Sequence, residues 1–306
     1  MAKLGKKLTG LVAATFTPLT SEGEINLPVI EPYVDYLVSK QGVRKVFVNG
    51  TTGESVSLSL DERKRLVEEW CQKGKDKLEA VIVHVGCSSL KDCKELARHA
   101  VEVEAHGIAL ISPSFFKPPN AAALRTFLQE VASAAPSLPF YYYHIPSMTG
   151  LHLRASEVME GIKEMIPSFS GVKFSGSDLL DFGQCVHSYP GHWSYLYGMD
   201  EQLLAALALG ADGAVGSTYN YMGSHMNNVL AASDSGNLPQ ARTHQFQMQE
   251  IILFAMKNGF GLAMNKKIMS DLSGLALGPP RLPLVCCDEA KAHTVVQKLR
   301  SVLGDQ

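Results

Sequence analysis

Short apolar segments alternate along the chain with longer amphipathic segments. The apolar segments are rich in β-branched and aromatic residues, which favours strands, and the intervening segments carry apolar residues at helical spacing. Eight segments fit the strand pattern: residues 11–16, 43–48, 81–85, 108–111, 140–143, 171–174, 193–197 and 213–215. Helical patterns lie between them, for example at residues 60–73, 90–104, 121–134 and 179–187. Strands that alternate with helices predict a parallel sheet.

The strand segments favour a closed barrel over an open sheet. Each is apolar along its whole length, as expected of a parallel sheet that is buried on both faces, and eight βα units complete a barrel. The predicted fold class is therefore α/β, a (β/α)8 TIM barrel. Beyond residue 220 the pattern is helical, which predicts a C-terminal helical extension over residues 239–257, 263–270 and 288–303. We expect a single unit over residues 1–306, with the barrel core in 8–220 and the last barrel helix and the C-terminal helices in 221–306.

Composition and charge narrow the range of functions. The 306 residues are 46% hydrophobic and 19% charged, which suits a large buried core and not a disordered chain. A net charge of −2, without a basic stretch, argues against a nucleic-acid partner. No apolar run approaches the roughly 18 residues of a transmembrane span, so no membrane partner is expected. The six cysteines lack CxxC or zinc-like spacing, which predicts free thiols and a cytoplasmic location.

A lysine and a tyrosine end two neighbouring strands, where barrels of this type carry their active sites. Lys173 ends the sixth strand, and burial there would disfavour the ammonium form and leave an amine that attacks carbonyl carbon. The alternative is a lysine that reaches solvent. Tyr143 ends the fifth strand and could serve that amine as a general acid/base. Tyr142 should face the other side of the strand, and Tyr141 lies deeper.

The segment after the second strand offers hydroxyls and backbone amides. Thr51 and Thr52 lie between glycines in the run 50–54, a combination that can hold a carboxylate. The alternative is an ordinary turn before a helix that is capped by Ser59 or Asp61. Without a following GK[ST] sequence, the run does not predict a phosphate-binding loop.

Polar residues also follow other strands. Asp200 and Glu201 come after the seventh strand and could bind substrate hydroxyls, although Asp200 could equally be the N-cap of a helix at residues 203–209. His84 ends the third strand and is predicted to be a structural histidine. Because no second His or Cys stands near it at metal-ligand spacing, no metal site is predicted.

Three motifs taken together resemble a known enzyme family. They are Gly50-Thr51-Thr52-Gly53-Glu54, Tyr143 followed by Ile145-Pro146, and Gly171-Val172-Lys173. In order and spacing they are similar to the dihydrodipicolinate synthase/N-acetylneuraminate lyase family of pyruvate-dependent class I aldolases. The resemblance implies that Lys173 forms a Schiff base with a 2-keto acid, that Tyr143 transfers protons, and that Thr51 and Thr52 hold the substrate carboxylate. The lysine itself takes the place of a cofactor, so no metal or nucleotide is implied.

Within that family the chain resembles the members that act on sialic acids. The synthases carry an arginine shortly after the tyrosine to bind a second carboxylate, whereas this chain has Met148, whose thioether cannot pair with one. The segments 141–146, 198–201 and 216–220 are similar to those of animal members. The resemblance therefore implies aldol cleavage of N-acetylneuraminate to N-acetylmannosamine and pyruvate, with the sugar chain bound by Ser175, Gly198, Asp200, Glu201 and Ser217.

Two alternative functions remain open at this point. One is a sibling aldolase that acts on 4-hydroxy-2-oxoglutarate or a keto-deoxy sugar acid, and the other is a non-catalytic barrel that binds a keto acid. The resemblance also implies a homotetramer. Many members place a tyrosine after strand four that reaches into a neighbouring subunit's site. Here that segment reads Ser114-Phe115-Phe116, so a proton relay through such a tyrosine is not expected.

Overall fold

The structure is a computed structural model that describes residues 7–304. Eight parallel strands form a closed barrel in chain order, which confirms the predicted (β/α)8 architecture. The strands are β1 (Gly10–Ala14), β2 (Lys45–Val48), β3 (Ala80–His84), β4 (Gly107–Ile111), β5 (Phe140–His144), β6 (Phe169–Phe174), β7 (Ser194–Tyr197) and β8 (Gly213–Gly216).

Helices follow the strands around the barrel and continue beyond it. The barrel helices are α1 (Ile30–Ser39), α2 (Leu60–Gly74), α3 (Leu90–Glu102), α4 (Ala121–Ala132), α5 (Pro146–Thr149), α6 (Ala155–Met159), α7 (Ile162–Met165), α8 (Leu179–Ser188), α9 (Leu203–Ala208) and α10 (Tyr219–Asp234). The predicted C-terminal helices are α11 (Leu238–Lys257), α12 (Leu262–Ser273) and α13 (Glu289–Leu303). Among residues 7–304, no helix is both long and apolar enough to cross a membrane.

Helix α2 illustrates how local sequence fixes an element. The Ser59 hydroxyl accepts from the backbone N–H of Glu62 at 3.2 Å, and the Glu62 carboxylate accepts from the backbone N–H of Ser59 at 2.8 Å. This capping box satisfies two backbone donors at the start of the helix. Leu66 and Trp70 recur four residues apart and are buried. Of the two cap residues considered from sequence, Ser59 is the cap and Asp61 is not.

The chain divides into two compact units. The first joins the residues up to Gly10 with Ala80–Val215, and the second joins Leu11–Glu79 with Gly216–Gln306. In the first unit β5 and β6 are paired so that Tyr143 lies beside Lys173. In the second unit β2 pairs with β1, and all of α11, α12 and α13 belong to the same unit.

Candidate active site

Lys173 and Tyr143 meet on adjacent strands of the first unit. The Nζ atom of Lys173 lies 3.8 Å from the centroid of the Tyr143 ring, and the two residues are 4% and 2% exposed. A lysine that extended into solvent would be more exposed than this. The pairing of β5 with β6 therefore sets an enclosed amine directly beside a phenol, the combination that carbonyl chemistry on a lysine requires.

The side chains of Tyr142 and His144, which flank Tyr143 in β5, lie on the opposite face of the strand. The Tyr142 hydroxyl lies 3.3 Å from Nδ1 of His144, and the His144 ring packs against the Phe174 ring at a tilt of 35°, with centroids 4.7 Å apart. Burial lowers the pKa of His144 to about 4, so its imidazole is neutral at neutral pH. Because side chains alternate along a strand, Tyr141 and Tyr143 share the other face, and of these two it is Tyr143 that the register pairs with Lys173.

His84 packs against the proposed acid/base. Its ring meets the Tyr143 ring edge-on, with centroids 5.8 Å apart and an interplanar angle of 88°, and the residue is 2% exposed. The sequence places His84 at a strand end but gives no sign of this contact. Within residues 7–304, no three His, Cys, Asp or Glu side chains cluster as metal ligands.

Ser175 directly follows β6, Gly198 directly follows β7, and the two residues are in close contact. Their backbone N–H groups donate to the carbonyls of His144 and Phe174, each at 2.7 Å, which extends the ladders by one residue. A Cβ atom at position 198 would lie 2.0 Å from Oγ of Ser175. Only glycine at this position leaves room for the buried Ser175 hydroxyl.

Asp200 and Glu201 lie in a short 3₁₀ turn, Asp200–Gln202, directly after β7. The N-cap of α9 is Gln202, so Asp200 does not cap that helix. Asp200 is buried and Glu201 half-buried. The Tyr197 hydroxyl holds the end of the turn, because it lies 2.9 Å from Oε1 of Gln202. Burial raises the pKa of Tyr197 to about 12, which keeps its phenol protonated.

Thr51 and Thr52 follow β2 in the second unit. Thr51 is exposed and Thr52 half-buried, whereas the two residues after them are buried. The backbone has a positive φ on either side of the pair, at Asn49 (58°) and Glu54 (57°), a region that non-glycine residues seldom adopt. The threonines are thus presented by a loop whose flanks are buried.

A buried ion pair holds the far end of this loop. Nζ of Lys266 donates to Oε1 of Glu54 at 2.9 Å, and the two side chains are 1% and 0% exposed. The backbone N–H of Arg281 donates to the other Glu54 oxygen at 2.8 Å. Burial lowers the pKa of Lys266, although the Glu54 carboxylate opposes the shift. The Arg281 guanidinium binds both oxygens of Glu62, at 2.6 and 2.8 Å, and holds the pKa of that carboxyl at about 2.

Ser217 follows β8 in the second unit and is half-buried. Its hydroxyl oxygen accepts from Nδ2 of Asn265 at 2.9 Å, and Oδ1 of Asn265 accepts from the Tyr221 hydroxyl at 2.8 Å. The sequence does not predict Asn265, Tyr221, Lys266 or Arg281 as parts of the site. The prediction uses residues at strand ends, whereas these four lie in helices and in a connector.

Three further residues that distinguish this chain within the resembled family are exposed. Met148 is in α5 and is 64% exposed. Phe115 and Phe116, in the loop after β4, are 84% and 86% exposed. Of the nine predicted site residues, the first unit holds Lys173, Tyr143, Ser175, Gly198, Asp200 and Glu201, and the second holds Thr51, Thr52 and Ser217.

Comparison with known proteins finds similarity over almost the whole chain. The chain is 60% identical to an N-acetylneuraminate lyase from Danio rerio, over 98% of each chain, and 55% identical to one from Rattus norvegicus, over 99% of this chain and 95% of the relative. A solved sialic acid aldolase from Aliivibrio salmonicida superposes with a TM-score of 0.92 at 37% identity, over 99% of each chain. The model of the dihydrodipicolinate synthetase family matches residues 7–302. The chain belongs to the dihydrodipicolinate synthetase family.

Proposed function

We propose that this chain is a lyase that cleaves N-acetylneuraminate to N-acetylmannosamine and pyruvate through a Schiff base on Lys173. The observation that carries the proposal is the buried Lys173 amine, 3.8 Å from the Tyr143 ring centroid, in a chain 60% identical to an N-acetylneuraminate lyase. A buried amine beside a phenol supplies both the nucleophile and the proton carrier that this chemistry needs.

The first half of the reaction breaks the carbon–carbon bond. The Lys173 amine adds to the C2 ketone of the open-chain substrate, and the Tyr143 phenol protonates the departing hydroxyl, so that loss of water gives an iminium and leaves Tyr143 as a phenolate. The C3–C4 bond then breaks, and its electron pair moves into the iminium to form an enamine. The Tyr143 phenolate accepts the proton of the C4 hydroxyl, so C4 becomes the aldehyde of N-acetylmannosamine.

The second half restores the enzyme. Tyr143 returns its proton to C3 of the enamine, which regenerates an iminium of pyruvate. Water adds to this iminium and gives a proton back to Tyr143, pyruvate leaves, and Lys173 recovers its amine. Every proton and electron pair is accounted for by the substrate, the two side chains and water, so the scheme requires no metal or nucleotide.

The remaining residues bind and orient the substrate. Thr51 and Thr52 hold the carboxylate through hydroxyl and backbone donors, which fixes the approach of the ketone to the amine. The hydroxyls and the N-acetyl arm of the sugar chain are bound by Ser175, Gly198, Asp200, Glu201 and Ser217. Asp200 and Glu201 suit this task because carboxylates accept hydrogen bonds from sugar hydroxyls.

Trapping with borohydride tests the proposal. Incubation with N-acetylneuraminate and borohydride should leave a reduced three-carbon adduct that peptide mapping assigns to Lys173. The adduct should be absent from Lys173→Met and present in Lys163→Met, which removes an exposed lysine. An adduct of the whole substrate would show binding without cleavage, and an adduct with pyruvate but none with N-acetylneuraminate would indicate a sibling aldolase. Retained turnover in Lys173→Ala would refute the scheme.

We also propose a homotetramer in the cytoplasm. The tetramer is supported by the family resemblance, and the location by cysteines spaced for neither disulfide frameworks nor zinc. Size exclusion with mass detection should give four times the 33.2 kDa chain mass. Fractionation of the source cells should recover the protein with cytosolic markers.

A further inference from the structure

Helix α12 carries two consecutive buried polar residues that contact different substrate-binding loops. Asn265 is 5% exposed and bonds to Ser217 after β8, whereas Lys266 is fully buried and pairs with Glu54 in the loop after β2. Polar side chains at this depth are costly unless their partners compensate them. Both partners lie in or beside the residues that the proposed function uses.

Asn265 determines what the Ser217 hydroxyl can do. Because Nδ2 of Asn265 donates to Oγ of Ser217, the serine oxygen is already an acceptor, and its own proton is directed to another group. The Tyr221 hydroxyl donates to Oδ1 of Asn265, which keeps the amide nitrogen toward Ser217. The chain of bonds from Tyr221 through Asn265 therefore leaves the hydroxyl proton of Ser217 available to donate to a bound ligand.

Lys266 holds the loop that carries Thr51 and Thr52. Glu54 ends this run with a φ of 57°, a strained value that persists where surrounding contacts impose it. Its carboxylate accepts from Lys266 on one oxygen and from the backbone N–H of Arg281 on the other. With both oxygens bound, the backbone at Glu54 is fixed, and the two threonines just before it are fixed in turn.

We infer that Asn265 and Lys266 are positioning residues for opposite ends of the substrate, Asn265 through the sugar-binding Ser217 and Lys266 through the carboxylate-binding Thr51 and Thr52. The inference rests on the proposed function and gives the C-terminal helix α12 a part in it. Pyruvate presents only the carboxylate end, whereas N-acetylneuraminate presents both. The two residues are therefore separable by the choice of ligand.

The test compares Asn265→Leu, Tyr221→Phe, Lys266→Met and Lys266→Arg with the full-length parent. The half-saturating pyruvate concentration for borohydride trapping measures binding at the carboxylate end. The kcat and KM for N-acetylneuraminate depend on binding at both ends. Asn265→Leu should raise KM about tenfold with kcat retained and pyruvate trapping unchanged, since one hydrogen bond is misdirected. Tyr221→Phe should do the same more weakly. Lys266→Met should raise the pyruvate half-saturation and KM together by at least about tenfold, and Lys266→Arg should restore much of both.

Lys267→Met is the matched control, since it removes the next lysine of α12, whose partner Asp271 lies on the same helix. It should change none of these constants. Hydrogen exchange adds a readout independent of turnover: Lys266→Met should accelerate exchange in residues 50–55 and not in 217–221. If Lys266→Met does not fold, Lys266→Arg and the Asn265 and Tyr221 variants decide whether the inference holds.

The inference is overturned if Asn265→Leu and Tyr221→Phe keep KM within twofold of the parent, or if pyruvate trapping and exchange in Lys266→Met match the parent. It is also overturned if every variant, Lys267→Met included, loses trapping and turnover in proportion to its melting temperature. A parent that neither cleaves N-acetylneuraminate nor traps pyruvate refutes the proposed function instead. The exchange pattern then still decides whether α12 fixes the two loops.

Discussion

Replacing Glu62 by glutamine should destabilise the protein by a measurable and pH-dependent amount. The Arg281 guanidinium beside it holds the pKa of the Glu62 carboxyl at about 2, against an ordinary value of 4.5. That difference corresponds to about 3 kcal/mol of unfolding free energy if the pair were shielded from water. The side chains of Arg281 and Glu62 are 24% and 14% exposed, so solvent screening reduces the expected loss to about 1–2 kcal/mol.

The sign of the pH dependence follows from the depressed pKa. A carboxylate that is stabilised in the folded state contributes fully above the unfolded pKa and loses its contribution as the pH falls toward the folded one. The difference in unfolding free energy between the parent and Glu62→Gln should therefore be constant from about pH 6 to 8. At pH 3.5 it should be about two-fifths smaller.

Urea unfolding at one protein concentration, followed by tryptophan fluorescence, measures these free energies, and Trp70 lies in the same helix as Glu62. Glu31→Gln is the control, because its partner Lys73 is 3.1 Å away but the two side chains are 53% and 31% exposed. That variant should lose less than about 1 kcal/mol. An equal loss in both variants, or a Glu62→Gln loss that does not shrink in acid, would refute the assignment of this stability to Arg281.

Three further outcomes follow from the structure. Tyr143→Phe should lower kcat by about 10²–10⁴-fold while pyruvate trapping on the lysine persists, and unchanged kcat would remove the phenol from proton transfer. Gly171→Ala should prevent recovery of folded protein, because its Cβ would lie 2.1 Å from a backbone carbonyl oxygen at a φ of 154°; Gly183→Ala, within α8, whose Cβ would meet no atom closer than 3.8 Å, should melt no lower than the parent. Iodoacetamide should modify the exposed Cys286 first and the buried Cys185 last, because burial raises the pKa of the Cys185 thiol; peptide mapping that finds the reverse order would contradict the structure.

The barrel could be predicted from sequence because buried parallel strands must be apolar throughout. Strand ends were harder to predict, since they depend on which backbone groups find a ladder partner. The first strand was expected to run to Phe16 but ends at Ala14. Thr15 and Phe16 stay buried, yet the N–H of Phe16 bonds to the Tyr33 hydroxyl instead of to a strand.

The candidate site likewise contains residues that the sequence predicts and residues that it does not. Lys173 and Tyr143 could be found because strand ends converge in a barrel, and the structure puts them side by side. The side chains that contact the loops after β2 and β8 follow no such rule. Asn265 reaches Ser217 across 48 positions, and Lys266 and Arg281 reach Glu54 across 212 and 227, separations that no local pattern in the chain encodes.

The position of α12 along the chain determines when, during synthesis, the contacts that hold the loops after β2 and β8 can form. The last barrel strand ends at Gly216, whereas Asn265 and Lys266 follow only after two further helices. During synthesis, all eight strands therefore leave the ribosome before the groups that bond Ser217 and Glu54. A nascent chain can thus contain Lys173 while the loops after β2 and β8 still lack these bonds. Under the proposed function, chains released early would therefore differ from full-length ones in substrate affinity more than in the number of barrel strands.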